Sequence, residues 1–134
     1  MALLLLPIAS AVSDTTPPNL ISFDFEPKVA DVSQSDQVVK FTAQIEDDLS
    51  GMSSGFARFS SPSGKQIRSA IFYKSYLVSG DNRNGTYVYY LTVPTYSESG
   101  KWYICRFLLL DKIGNGQDLN ETERQKLGFI EVKS

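Results

Sequence analysis

The sequence predicts an all-β fold, an antiparallel β-sandwich of about seven short strands with one short helix before the last. Three observations lead there. Leu20 to Phe25 and Val38 to Ile45 alternate apolar with polar residues, the period of a strand that buries one face. Turn-forming clusters punctuate the chain at short intervals. Lys101 to Asn115, KWYICRFLLLDKIGN, concentrates aromatic, β-branched and aliphatic residues between glycines, as a central strand would.

Met1 to Ala11, MALLLLPIASA, joins a short apolar run to small residues and is expected to be the remnant of a secretory signal. The run is too short for a membrane span, which takes about 20 residues. Leu3 to Leu6 have a second reading, as an apolar strand donated to a neighbouring chain, which would make the protein the subunit of an extracellular filament. Residues 12–19 read as a Pro-rich linker, since Pro17 and Pro18 favour an extended path. The sandwich domain is then expected over residues 20–134.

Within it, the first strand, Leu20 to Phe25, should turn Ile21, Phe23 and Phe25 inward and end at Pro27. The second, Val38 to Ile45, should bury Val39, Phe41, Ala43 and Ile45. Phe56 to Ser60 is the third, closed by the turn Ser61-Pro62-Ser63-Gly64. Gln66 to Tyr73 returns and continues through Tyr76 to Val78 after a break at Lys74-Ser75. Asn84-Gly85 signals a hairpin ahead of Thr86 to Val93, which should bury Tyr87, Tyr89, Leu91 and Val93.

In the central strand, strict alternation would bury Arg106 beside Trp102. A one-residue bulge near Cys105 and Arg106 removes the conflict and puts Trp102, Ile104, Phe107 and Leu109 in the core with Phe23 and Phe41. Asp118 to Leu127 is the helical stretch, with Asp118 as N-cap, Glu121 as its capping partner and Gly128 closing it. Phe129 to Lys133 is the last strand. The face carrying Leu108, Leu110 and Val88 calls for a cover, and the helix, through Leu119 and Leu127, is the expected one.

Asp14-Thr-Thr-Pro-Pro, Ile45-Glu-Asp-Asp-Leu-Ser-Gly51, Ser61-Pro-Ser-Gly64, Tyr96-Ser-Glu-Ser-Gly-Lys-Trp102 and Asp111-Lys-Ile-Gly-Asn115 occur in an order that resembles bacterial immunoglobulin-like repeats of secreted and cell-surface proteins. The resemblance implies an immunoglobulin-like sandwich outside the cell, acting as a spacer or adhesion module beside neighbouring domains or surface proteins. The Gly-x-Tyr-x-Cys pattern of antibody-type domains is not met, and Trp102 is expected to take over the pinning of the sheets.

Composition narrows the chemistry. A chain of 134 residues supports one core, and 13 basic against 15 acidic side chains without a basic cluster argue against nucleic acid as a partner. There is no histidine, and the single Cys105 has no partner for a thiolate relay, so an enzyme is not expected and no cofactor is required. Strands running up and down would bring Asp14, the Asp47-Asp48 loop, the Asp81 to Asn84 loop and the Asp111 to Asn115 turn to one end. Asp47, Asp48, Asp111 and Asn115 are therefore candidate calcium ligands, although turns use the same residues for their own backbone bonding. Tyr90 and Tyr103 are the outward aromatics that a carbohydrate partner would use.

Overall fold

The computed structural model describes residues 14–134, so the signal and filament readings of residues 1–11 lie outside the described residues. Two sheets pack face to face. The first has four strands in the order β1 (Asn19–Glu26), β3 (Gln37–Glu46), β7 (Asn84–Val93), β6 (Leu77–Gly80). The second has six, in the order β2 (Val29–Asp31), β10 (Phe129–Lys133), β8 (Gly100–Asp111), β4 (Met52–Ser60), β5 (Ile67–Tyr73), with β9 (Gly116–Asp118) paired to β8 beside β10's line. Read as strand letters this is the immunoglobulin arrangement, A-B-E-D in one sheet and G-F-C in the other. The strands number ten against the seven expected, because β2 and β9 are three-residue pieces too short to show a period and β6 is a strand of its own in the other sheet.

β3 follows the alternation its sequence shows, burying Val39, Phe41, Ala43 and Ile45. β8 carries the expected bulge: Arg106 pairs with Arg58 and Ile104 with Phe59, so Cys105 is the extra residue. Trp102, Ile104, Phe107 and Leu109 are accordingly buried, whereas Cys105 and Arg106 are exposed. Cys105→Ser should thus leave the chain folded with stability changed by no more than about 0.5 kcal/mol. Urea unfolding checks this, and a markedly lowered midpoint would put the thiol in the core.

Phe23 is half-buried against the core, its ring centroid 5.1 Å from that of Phe107. β1 departs from strict alternation. Leu20 pairs with Ile45 and Ser22 with Gln44, leaving Ile21 as a bulge residue that faces solvent. Leu20 takes its place against the core.

The chain changes sheet five times, and two of these crossings bear on the strand boundaries. It crosses from β1 to β2 around Pro27, and from β5 to β6 through a single 3-10 turn at Lys74–Tyr76. The return strand therefore does not simply continue past Lys74-Ser75 as expected. β7 starts at Asn84, and the β6–β7 turn is Asp81 to Arg83, where the Asp81 carboxylate accepts the Arg83 and Asn84 amides at 2.9 and 3.0 Å. Asn84-Gly85 thus stands inside the hairpin and does not form its tip.

The helix, α1, is shorter and later than expected, Glu121–Gln125. Asp118 is part of β9, and Asn120 is the N-cap, its side chain accepting from the Glu123 amide while Glu123 returns the bond. Gly128 lies beyond the C-cap Lys126 with φ +91°. Nor does α1 cover the face of Leu108 and Leu110. Asp118 pairs with Leu108 on that face, so Leu119 next to it turns inward, and Leu127 packs on the core beside it. With Leu20 these two leucines line a shallow cleft of about 290 Å³. Val88 belongs to the other sheet altogether. Leu108 and Leu110 are half-buried over Gly116, whose missing Cβ would stand 3.5 and 3.2 Å from their methyls.

Among the described residues no helix is long and apolar enough to cross a membrane.

Candidate functional site

β3 and β4 run to one pole of the sandwich and are joined there by the loop Asp47 to Gly51. Asp47 is only 2% exposed because its carboxylate folds back on its own loop, Oδ2 accepting the Gly51 amide at 2.7 Å. The loop is sewn to the β6–β7 turn, with the Asp47 amide donating to Arg83 O and the Met52 amide to Asn82 O, both at 2.8 Å. Gly51 takes φ +85°, a conformation that side chains with a Cβ avoid.

The β8–β9 turn stands beside it. Asp111 Oδ1 accepts the Ile113 and Asn115 amides at 3.0 and 2.8 Å, and Oδ2 accepts Asn115 Nδ2 at 2.8 Å. This carboxylate builds its own turn, the structural role that Asp shares with Asn in such places. Asn115 Nδ2 also donates to Asp14 O at 2.7 Å, so the turn holds the segment that leads into β1.

Asp14 completes the pole. It is buried, as is Pro18, so the Pro-rich stretch is packed on the domain and does not hang free as a linker. Asp14 Oδ1 accepts the Thr16 amide at 3.0 Å, and Oδ2 accepts the Ser50 amide at 3.0 Å and the Ser50 hydroxyl at 2.5 Å. Carboxylate oxygens of Asp14, Asp47 and Asp48 come within 4.8 Å of one another. The four candidate ligands are thus divided: Asp47 and Asp48 converge, with Asp14 as the third acid, while Asp111 and Asn115 bond chiefly to each other and lie alongside. The composition of Asp14-Thr-Thr-Pro-Pro resembles solvated linker, and only the topology, which sends the loops to the same end, pointed to Asp14.

The acids respond in opposite ways. The Ser50 hydroxyl, helped by the Ser50 and Thr16 amides, lowers Asp14 to about 2. Asp47 is raised, first by burial and then by the negative charges of Asp14 and Asp111, against the opposing Gly51 amide. Asp14 therefore favours the fold above the unfolded carboxylate range, and this is lost as pH falls through about 2. Asp47 favours it below that range, and its contribution is lost as pH rises through the raised value.

A cleft of about 450 Å³ opens between the sheets at this pole, lined by Met52, Leu77, Tyr87, Asp81, Lys74 and Lys112 among others. Lys74, Asp81 and Lys112 are its exposed members and Met52 and Tyr87 its buried ones. The outward tyrosines are where the sequence put them, Tyr90 63% and Tyr103 49% exposed, but on different sheets.

Fold and site together define an immunoglobulin-like sandwich with a buried acidic pole. The chain belongs to the family described as a domain of unknown function (DUF7035), whose model matches residues 13–131. No curated protein and no solved structure matches it. The family match takes in the Pro-rich stretch, in keeping with the burial of Asp14 and Pro18.

Proposed function

We propose that the chain is a non-enzymatic extracellular module, a spacer or adhesion domain of a secreted or cell-surface protein. The placement of the first and last described residues, Asp14 and Ser134, carries this reading. Asp14 sits at the pole of the Asp47 and Asp111 loops, whereas Ser134 sits at the other, its amide donating to Ser99 Oγ at 3.1 Å next to the start of β8. The twelve residues of β8 span the distance between the poles, about 40 Å. A chain that goes in at one pole and out at the other sets neighbours in line, as a spacer requires. The lack of any histidine in the sequence supports the non-enzymatic part.

Carbohydrate binding through the outward tyrosines has less support, since rings on opposite sheets make no common stacking platform. An antibody raised against the domain should label intact cells or the culture medium of the organism that makes it, and a panel of glycans should leave the melting temperature where it is. Labelling that needs permeabilised cells would overturn the extracellular reading, and a glycan-dependent shift would overturn the passive one.

A further inference from the structure

We infer that Asp14, Asp47 and Asp48 form a binding site for a calcium-class divalent cation, which ties the segment leading into β1 to the β3–β4 loop. The inference stands on this cluster and is independent of the spacer reading.

An acidic cluster alone is an ordinary surface feature, but this one has a buried centre with an unfilled valence. Asp47 is 2% exposed, and its Oδ1 has no hydrogen-bond partner among the described residues. Leaving such an oxygen dry and unpaired is costly, the more so on a carboxylate. The neighbouring hydroxyl does not help. Ser50 Oγ lies 2.5 Å from Asp14 Oδ2 and 3.4 Å from Asp47 Oδ2, and its one proton is taken by the shorter contact. The Gly51 amide serves Oδ2 of Asp47, not Oδ1. No cationic side chain is among the groups that act on Asp47. Among the described residues no salt bridge reaches Asp14, Asp47 or Asp48.

The spacing suits the missing charge. Calcium takes oxygen ligands at about 2.3 to 2.6 Å, so its ligand oxygens lie within about 5 Å of each other across the ion. The oxygens of Asp14, Asp47 and Asp48 meet that limit at 4.8 Å. Three carboxylates, each binding through one or both oxygens, supply three to six of the six to eight ligands calcium accepts, and exposed Asp48 leaves a side open to water. Magnesium demands a tighter octahedron and parts reluctantly with its water, so it should compete poorly for ligands drawn from two separate segments.

Thermal melting of the full chain in chelator, in calcium and in magnesium at matched ionic strength tests this, with calorimetric titration of calcium alone as the direct measure. Calcium about 100-fold above its dissociation constant should raise the melting temperature by on the order of 10 °C. Magnesium should do far less, and Asp47→Asn should abolish the response. Asp48→Asn, at an exposed position, should melt like wild type in chelator and bind calcium at least about tenfold more weakly, which keeps the test readable if Asp47→Asn fails to fold. A melting temperature indifferent to calcium would overturn the site, leaving a proton shared between Asp14 and Asp47 as what reconciles them. An equal response to magnesium, or undiminished binding by Asp48→Asn, would overturn it as well.

Discussion

Trp102→Ala should lower the unfolding free energy by about 3 to 5 kcal/mol, much of the 5 to 15 kcal/mol that a domain of this size holds. The indole is 2% exposed in the middle of the second sheet, where Trp102 pairs with Ile130 of β10. Its Nε1 donates to Glu98 O at 2.8 Å, fastening the loop before β8 to the core. Alanine would empty the largest aromatic site and free that carbonyl. Trp102→Phe separates the two effects: it keeps most of the packing and should cost only the bond and a modest misfit, about 1 to 2 kcal/mol. Urea midpoints for both variants measure the difference. An alanine variant that melts within a few degrees of wild type would mean that the indole does not pin the sheets.

Gly85→Ala should also be damaging, for a different reason. Gly85 pairs with Gly80 across the β6–β7 hairpin, and a Cβ on it would lie 2.3 Å from the backbone oxygen of Asp81 and 2.5 Å from a methyl of Leu77. The leucine can rotate; the carbonyl of a tight turn cannot. Relief requires the turn to move, at a cost of about 1 to 3 kcal/mol or more. The same turn offers Asn82 and Arg83 carbonyls to the β3–β4 loop, so the acidic pole should loosen with it. Gly64→Ala is the control. Nothing stands within 4 Å of its Cβ, and only its φ of +77° is unfavourable, which costs about 1 to 2 kcal/mol. Calorimetric melting of the two variants should rank Gly85→Ala below Gly64→Ala, and the reverse order would show that the hairpin yields freely.

The long strands were legible because their burial is written at period two and local neighbours enforce it. In β3 each of Val39, Phe41, Ala43 and Ile45 turns inward, and in β8 the burial cost of Arg106 calls for the bulge that the pairing shows. Other features depend on contacts that no local pattern encodes. β4 begins at Met52, four residues before its first aromatic, because Gly55 leaves room for Leu109 to lie against its backbone. Ile21 looks like a core residue and is displaced by a bulge that brings Leu20 inward. The helix starts at Asn120 because Asp118 is used by β9, a strand defined only by its partner. At the acidic pole the topology foretold the meeting of loops, but it did not say which acid would be buried. Asp111 and Asp47 occupy similar turn sequences, yet Asp111 fills its oxygens with its own turn and Asp47 leaves one bare.

The parallel pairing of β2 with β10 has a mechanical side. β2 follows closely on the segment entering from one pole, and β10 is the strand that leaves toward the other. Tension between the poles would draw these neighbours past each other along their length. The pair, extended by Glu131 N to Lys28 O at 2.9 Å and Val32 N to Lys133 O at 2.7 Å, would then be loaded in shear, all its bonds at once. A strand unzipped from one end gives up its bonds in turn and resists weakly. Arranged as it is, this domain would hold its length under pull until the patch lets go as a unit.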